Sequence, residues 1–98
     1  MKIGEAIREL RKKQGLSQEE LAKAAGISQT ALSQIENFAR PSEETLDSLS
    51  KALKVPTAMI HLMTLKEEDI PESKRMLYDK LFPVIKSLII EMAGEENK

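Results

Sequence analysis

Apolar residues recur along most of the chain at spacings of three and four, which is the spacing of one face of an α-helix. The stripe is clearest in the first segment, where Ile3, Ala6, Ile7 and Leu10 share a face. Five such segments precede residue 66, and they cover residues 3–14, 18–25, 29–36, 43–54 and a short stretch that starts at 56. The pattern predicts an all-α fold in which five helices enclose one aliphatic core.

The second and third helices are predicted to meet at a tight corner. Ser17 and Glu20 have the spacing of a capping box, in which a hydroxyl and a carboxylate each accept a hydrogen bond from a backbone N–H at the start of a helix. Gly26 ends that helix, because glycine adopts the left-handed conformation without steric cost, and Ser28 can cap the next one. Two short helices joined in this way predict a helix-turn-helix arrangement.

The outward face of the third helix carries uncharged hydrogen-bonding side chains, which are Gln29, Thr30, Ser33 and Gln34. Their reach suits the edges of DNA bases, and a glutamine can pair with both the donor and the acceptor of adenine. On an isolated helix such residues are more often an ordinary solvated face. Within a complete helix-turn-helix pattern we interpret them as residues that face bases in the major groove.

Four motifs in register resemble the phage-repressor (Xre/Cro-type) helix-turn-helix family. They are Leu16-Ser17-Gln18-Glu19-Glu20-Leu21-Ala22, Gly26-Ile27-Ser28-Gln29, Ile35-Glu36-Asn37 and Arg40-Pro41-Ser42. The resemblance covers residues 3–62 and implies a five-helix repressor-like domain that binds double-stranded DNA. It also implies phosphate contacts from Gln18 and Asn37, a positive charge from Arg40 at the DNA, and a structural ion pair between Arg11 and Glu36.

Two positions depart from the family pattern. Phe38 follows Asn37, where relatives usually carry glycine and a loop one residue longer, so either the helix ends differently or Asn37 takes the left-handed conformation. Phe38 then either folds back on the core or packs against a partner chain or DNA sugars. Lys54 stands where relatives usually place glycine, and we expect the end of the fourth helix to be strained or closed differently.

The fifth helix is predicted to be short, with Pro56 in its first turn and Ala58, Met59 and Leu62 closing the core. His61 is the only histidine of the chain. We expect it to be a surface residue without a metal, because no second ligand stands at a recognisable spacing.

We divide the chain into a helix-turn-helix domain, residues 1–65, and a linker with a C-terminal helical extension, residues 66–98. The extension carries a second apolar stripe, interrupted by Pro83, which is expected to kink or divide the helix. The stripe either folds back on the domain or joins the same segment of a second chain, and its width and Leu/Ile content favour a homodimer. The residues assigned to the dimer seam are Leu77, Leu81, Ile85, Leu88 and Met92. Residues 94–98 are predicted to be a frayed polar tail.

The amino-acid composition narrows the range of functions expected for the chain. The chain has no cysteine, no glycine-rich phosphate loop and no nucleophile with a matched base, so we expect neither an enzyme nor a cofactor. No run of 18 apolar residues is present, so no membrane span and a cytoplasmic location are expected. The net charge of −1 argues mildly against a nucleic-acid binder, although residues 1–40 carry seven basic and five acidic side chains, a net charge of +2.

Two functions therefore remain open. The favoured one is a homodimeric transcriptional regulator, acting as a repressor, that recognises a short inverted repeat in double-stranded DNA. The alternative is a protein-interaction adaptor or antitoxin-type module with little or no DNA affinity of its own. The acidic isoelectric point, near 5.9, and the altered loop over residues 37–41 motivate this alternative, in which the extension binds a protein partner.

Overall fold

The structure is a computed structural model, and it describes residues 1–95 of the chain. Over these residues every regular element is helical, which confirms the all-α prediction. The six α-helices are α1 (Ile3–Lys13), α2 (Gln18–Ala25), α3 (Gln29–Asn37), α4 (Glu43–Leu53), α5 (Thr57–Met63) and α6 (Arg75–Glu95). Two 3-10 turns, Glu67–Asp69 and Glu72–Lys74, lie between α5 and α6. Residues 96–98 of the predicted frayed tail lie outside the described part.

Serine hydroxyls fix where three of the helices begin. The Ser17 hydroxyl accepts from the Glu20 backbone N–H at 3.0 Å and the Glu20 carboxylate accepts from the Ser17 N–H at 2.9 Å, which confirms the capping box. Ser28 and Ser42 cap α3 and α4 in the same way, at 3.0 and 3.1 Å. Each cap satisfies a backbone donor that has no partner inside its own helix.

Two residues in the left-handed conformation end α2 and α4. Gly26, with φ of 72°, closes α2, and the chain turns at once into α3. Lys54, with φ of 59°, closes α4 and is the one non-glycine residue with positive φ among residues 1–95. The expected strain at Lys54 is therefore present, because its Cβ crowds the backbone in this conformation.

The first five helices enclose the predicted aliphatic core. Its fully buried large side chains come from all five helices: Ile7, Leu10, Leu21, Leu32, Leu49, Leu53, Ile60 and Met63. The prediction that Ala58 and Leu62 face the core from α5 is wrong, since both are exposed. Ile60 and Met63, which lie three residues apart on one face of α5, take that place.

Helices α1 and α3 approach each other backbone to backbone at Gly4. A Cβ built on Gly4 would overlap the carbonyl oxygen of Ile35 and lie 3.1 Å from the Glu36 Cα. Only a residue without a side chain permits this approach. Gly4 therefore sets how close the third helix lies to the first.

One face of α6 folds back on the domain. Ile89 and Ala93 are buried in the same core as the first five helices, and α6 contacts α1 and α5. Two ion pairs border this contact: Lys13 Nζ to Glu91 Oε1 at 3.2 Å, and Lys86 Nζ to Glu9 Oε2 at 3.6 Å. Folding back, the alternative that the sequence favoured less, therefore accounts for this face of the helix.

Tyr78 ties the connection before α6 to the helix. The Tyr78 hydroxyl donates to the Leu65 carbonyl at 3.0 Å, and its ring stacks on Phe82 with centroids 5.0 Å apart. Burial, together with the carboxylates of Asp79 and of the acidic turn at Glu67–Asp69, raises the pKa of Tyr78. Tyr78 thus stays a hydrogen-bond donor at neutral pH and links the start of α6 to the end of α5.

The other face of α6 stays exposed and apolar. Leu77, Leu81, Val84, Leu88 and Met92 all point away from the domain. Pro83 lies inside the helix without dividing it. No helix among residues 1–95 has the length and apolar content that crossing a membrane requires.

Candidate nucleic-acid interface

Five polar side chains line one shallow depression between the start of α2 and the outer face of α3. They are Gln18, Gln29, Thr30, Ser33 and Gln34, all of them sequence-predicted site residues. The corner at Gly26 brings them together, because it places the first turn of α2 beside the third helix. Gln29, Thr30 and Gln34 are exposed, whereas Gln18 and Ser33 are half-buried.

The chemistry of this depression, which we call the reading depression, is that of neutral hydrogen-bond donors and acceptors. No charged side chain lines it. Hydroxyl and amide groups can donate to and accept from the edges of base pairs, which present both kinds of group in the major groove. The arrangement therefore suits contacts that distinguish bases more than contacts that neutralise charge.

The structure brings Arg11 and Glu36 together as a buried pair beneath α3. Arg11 Nε donates to Glu36 Oε2 at 2.7 Å and Arg11 Nη2 donates to Glu36 Oε1 at 3.0 Å. The third guanidinium nitrogen donates to the Leu16 carbonyl at 2.8 Å. Arg11 is 8% exposed and Glu36 is 2% exposed. This bidentate pair fixes the C-terminal half of α3 against the end of α1.

Glu36 is the centre of a larger network. Arg8 Nε lies 3.4 Å from its carboxylate, and Gln18 Nε2 donates to it at 3.1 Å. Burial by itself raises the pKa of Glu36, but the hydrogen bonds from Arg11, Gln18 and Arg8 and the Arg11 charge outweigh it, so this pKa lies below its ordinary value. Glu36 is therefore ionised at neutral pH and ties together α1, α2 and α3.

The two residues expected to hold phosphates both make intramolecular hydrogen bonds. Gln18 uses its amide nitrogen for Glu36. Asn37 accepts from Arg8 Nη2 at 2.8 Å and donates to the Ser33 carbonyl at 2.7 Å. These bonds orient both amides, and a phosphate contact from either residue would use the donor capacity that remains.

The loop after α3 ends the helix without a left-handed residue. Phe38 has φ of −160°, outside the left-handed region, so the helix ends differently and Asn37 does not adopt positive φ. The interpretation that Phe38 folds back on the core is wrong, because Phe38 is 76% exposed. Arg40, two residues further on, is also exposed.

The residues assigned to the dimer seam lie elsewhere, on α6. Leu77, Leu81, Ile85, Leu88 and Met92 all belong to its exposed face, which they share with Val84. They take no part in the reading depression, so the structure separates the two sets of predicted site residues.

Two residues of the interface have structural roles that were not predicted from the sequence. Arg8 links Glu36 to Asn37, and Gly4 sets the position of α3. Arg8 stands three residues before Arg11, about one turn earlier on the same helix. This spacing could have indicated that both arginines reach the same carboxylate. Nothing in the sequence marks Gly4, because a glycine in a helix has no distinctive pattern until its neighbour is known.

The described residues offer no set of ligands for a metal. Among residues 1–95 no group of three or more His, Cys, Asp or Glu side chains is arranged to hold an ion. His61 is exposed on α5.

Comparison with known proteins matches the chain to one family. A protein-family model described as helix-turn-helix matches residues 7–60, which is more than half of the chain. Comparisons with curated proteins and with solved structures give no match. The matched segment runs from α1 to α5 and contains the whole reading depression.

Proposed function

The chain belongs to the phage-repressor (Xre/Cro-type) helix-turn-helix family of DNA-binding transcription regulators, and from this premise we propose that it is a homodimeric repressor of an inverted-repeat operator. The observation that carries the proposal is the uncharged reading depression on the outer face of α3. An exposed helix with such a face fits the major groove, which has the width of one α-helix.

Base contacts come from the reading depression in this proposal. Gln29 and Thr30, in the first turn of α3, face base edges together with Ser33 and Gln34. Each bidentate contact discriminates against a wrong base by about 1–3 kcal/mol. Gln18, Asn37 and Arg40 contact phosphates and fix the register of α3 on the duplex.

The network around Glu36 supports this role by holding α3 rigid. Arg11 and Arg8 donate to Glu36 from α1, and Gln18 donates to it from α2. Side chains on a positioned helix lose little freedom when they bind, so more of each contact contributes to affinity. The same network makes the interface dependent on residues that never touch a base.

The exposed face of α6 supports pairing of two chains in this proposal. Its apolar side chains run from Leu77 to Met92, about 22 Å along the helix at 1.5 Å per residue. Leu88 and Leu77 are 59% and 56% exposed, and a soluble domain rarely leaves such a continuous apolar row uncovered. We therefore assign the row Leu77, Leu81, Ile85, Leu88 and Met92 to the seam of a two-fold dimer.

A dimer also meets the requirement of specificity. One reading helix contacts only a few base pairs, and a genome contains many copies of so short a site. Two helices related by a two-fold axis reach half-sites about 34 Å apart, one turn of the duplex. Binding at such a site excludes other proteins from it, which is the physical basis of repression.

Selection of bound sequences from a random DNA pool tests the proposal. We expect an enriched inverted repeat with half-sites one helical turn apart. Gln29→Ala should then relax base preference in one position of each half-site, whereas Lys51→Ala, an exposed change on α4, should leave it unaltered. A pool that stays random after selection, at low salt, rules out sequence-specific binding.

The alternative, a protein-interaction adaptor or antitoxin-type module, is favoured by one observation. The exposed row on α6 suits a groove in another protein as well as it suits a second copy of this chain. A mobility-shift titration across salt separates the two functions. A DNA binder loses affinity steeply as salt rises, whereas an adaptor shows no shifted band at any salt concentration.

A further inference from the structure

A second cleft lies at the C-terminal end of α3 and shares no lining residue with the reading depression. Three segments form it: the start of α1, the last turn of α3 with the loop that follows, and the end of α5. The space measures about 690 Å³, which is far more than a single ion needs. We call it the basic cleft, for the charges described next.

Cationic side chains outnumber anionic ones around the basic cleft. Lys2, Arg8, Arg40 and Lys66 line it, against Glu5 and Glu36. The two carboxylates already have partners: Glu5 accepts from the Lys2 backbone N–H at 2.8 Å, and Glu36 is held by arginines.

Three of these cations have no counter-charge of their own. Within residues 1–95 the ammonium groups of Lys2 and Lys66 and the guanidinium of Arg40 form no ion pair. In a chain with a net charge of −1, three such cations around one cleft make it a favourable place for an anion.

The position of the cleft relative to α3 indicates what it holds. An α-helix with its side chains is about 10–12 Å wide and the major groove is about 12 Å wide, so a helix in the groove has a sugar-phosphate strand on each side. The reading depression extends from α3 to the start of α2. The basic cleft borders Asn37 and Arg40 at the C-terminal end of the same helix, where a flanking strand can pass.

We infer that the basic cleft holds phosphates of the DNA backbone at the end of α3, with Lys2 and Lys66 as backbone contacts beyond the helix-turn-helix. This inference rests on the proposed function. Both lysines lie outside the segment matched by the family, residues 7–60, so that match assigns them nothing. Phosphate contacts carry no base information, and in this arrangement the uncharged face of α3 reads sequence while the basic cleft at its C-terminal end supplies affinity.

The salt dependence of DNA binding measures the number of these phosphate contacts directly. Binding of the wild-type chain to a labelled duplex carrying its selected site is followed by fluorescence anisotropy over a range of NaCl concentrations. Each phosphate contact contributes about 0.9 to the slope of log Kobs against log salt, so Lys2→Gln with Lys66→Gln should lower the slope by about 1.8. Base preference should stay the same, because neither lysine reaches a base.

Lys51→Gln with Lys80→Gln is the matched control, since it removes the same charge from exposed lysines that line neither cleft. Thermal unfolding of both double variants checks that the fold is retained. A slope for Lys2→Gln with Lys66→Gln equal to that of the control overturns the inference while leaving the proposed function intact, and an acidic polypeptide then becomes the ligand to test. Absence of DNA binding by the wild-type chain overturns both.

Discussion

Gly4 in α1 and Ile35 in α3 meet without any side chain between them, so the helix that bears the reading depression rests directly on the backbone of the first helix. The contact lies one residue before Glu36, the centre of the arginine network. Close packing at Gly4 and the ionic contacts at Glu36 thus fix the same stretch of α3. Both act at its C-terminal half, while its N-terminal half is held by the Ser28 cap.

Gly4→Ala tests the importance of this contact. Alanine favours a helix over glycine by about 1 kcal/mol, but its Cβ would overlap a backbone carbonyl that cannot rotate away. Overpacking of this kind costs about 1–3 kcal/mol, so we expect a net loss of stability and weaker DNA binding as α3 is displaced. Urea unfolding measures the first effect. Ser87→Ala, at an exposed position on α6, should change stability by less than about 0.5 kcal/mol.

The fold was largely predictable because short-range signals specify it. Ser17, Ser28 and Gly26 act on backbone groups within four residues, so their spacing alone places the boundaries of α2 and α3. Gly4 and Arg8 act on residues about 30 positions away, and no local pattern encodes such a contact. The same holds for α6, whose apolar stripe does not reveal which face the domain covers.

The pKa of Glu36 predicts a specific acid sensitivity. Since the folded value lies below the ordinary value of 4.5, the ionised carboxylate stabilises the fold fully above that pH. The stabilisation is lost as the pH falls from there through the folded pKa. We expect the wild-type free energy of unfolding to exceed that of Glu36→Gln by about 3–5 kcal/mol at neutral pH, because the variant leaves Arg11 buried without its counter-charge.

Urea titrations at a series of pH values, from neutral to well below 4.5, should show the difference between wild type and Glu36→Gln shrinking on acidification. Glu43→Gln, an exposed change on α4, is the control and should follow the wild-type curve. A difference between wild type and Glu36→Gln that stays constant over this range would contradict the assigned role of the carboxylate.

Substitution of Lys54, unlike the changes at Gly4 and Glu36, is expected to stabilise the fold. Its φ of 59° is costly for any residue with a Cβ and free for glycine. Lys54→Gly should therefore raise stability by about 0.5–1 kcal/mol, and Tm by about 4–8 °C for each kcal/mol. Lys51→Gly, three residues earlier within α4, should instead lower stability by about 1 kcal/mol. Calorimetry that finds both variants less stable than wild type would show that the Lys54 conformation carries no strain.

The exposed row on α6 gives the last prediction, which concerns the proposed dimer. Leu81 and Leu88 lie seven residues apart on the same face, two turns of the helix. Glutamate at both positions would place charges at the seam, where burial of each leucine contributes about 1.5–3 kcal/mol. We expect light scattering to show twice the chain mass of 11.0 kDa for wild type and a single chain mass for Leu81→Glu with Leu88→Glu.

Met76→Glu with Ser87→Glu is the matched control, because it adds the same charge to α6 at exposed positions away from the row. This control should remain a dimer, and circular dichroism should show equal helix content in all three proteins, since none of the four positions is buried. A dimer that persists in Leu81→Glu with Leu88→Glu would place the seam elsewhere. If the wild-type chain is a monomer, its apolar row is free to bind a different protein. That outcome would favour the adaptor function.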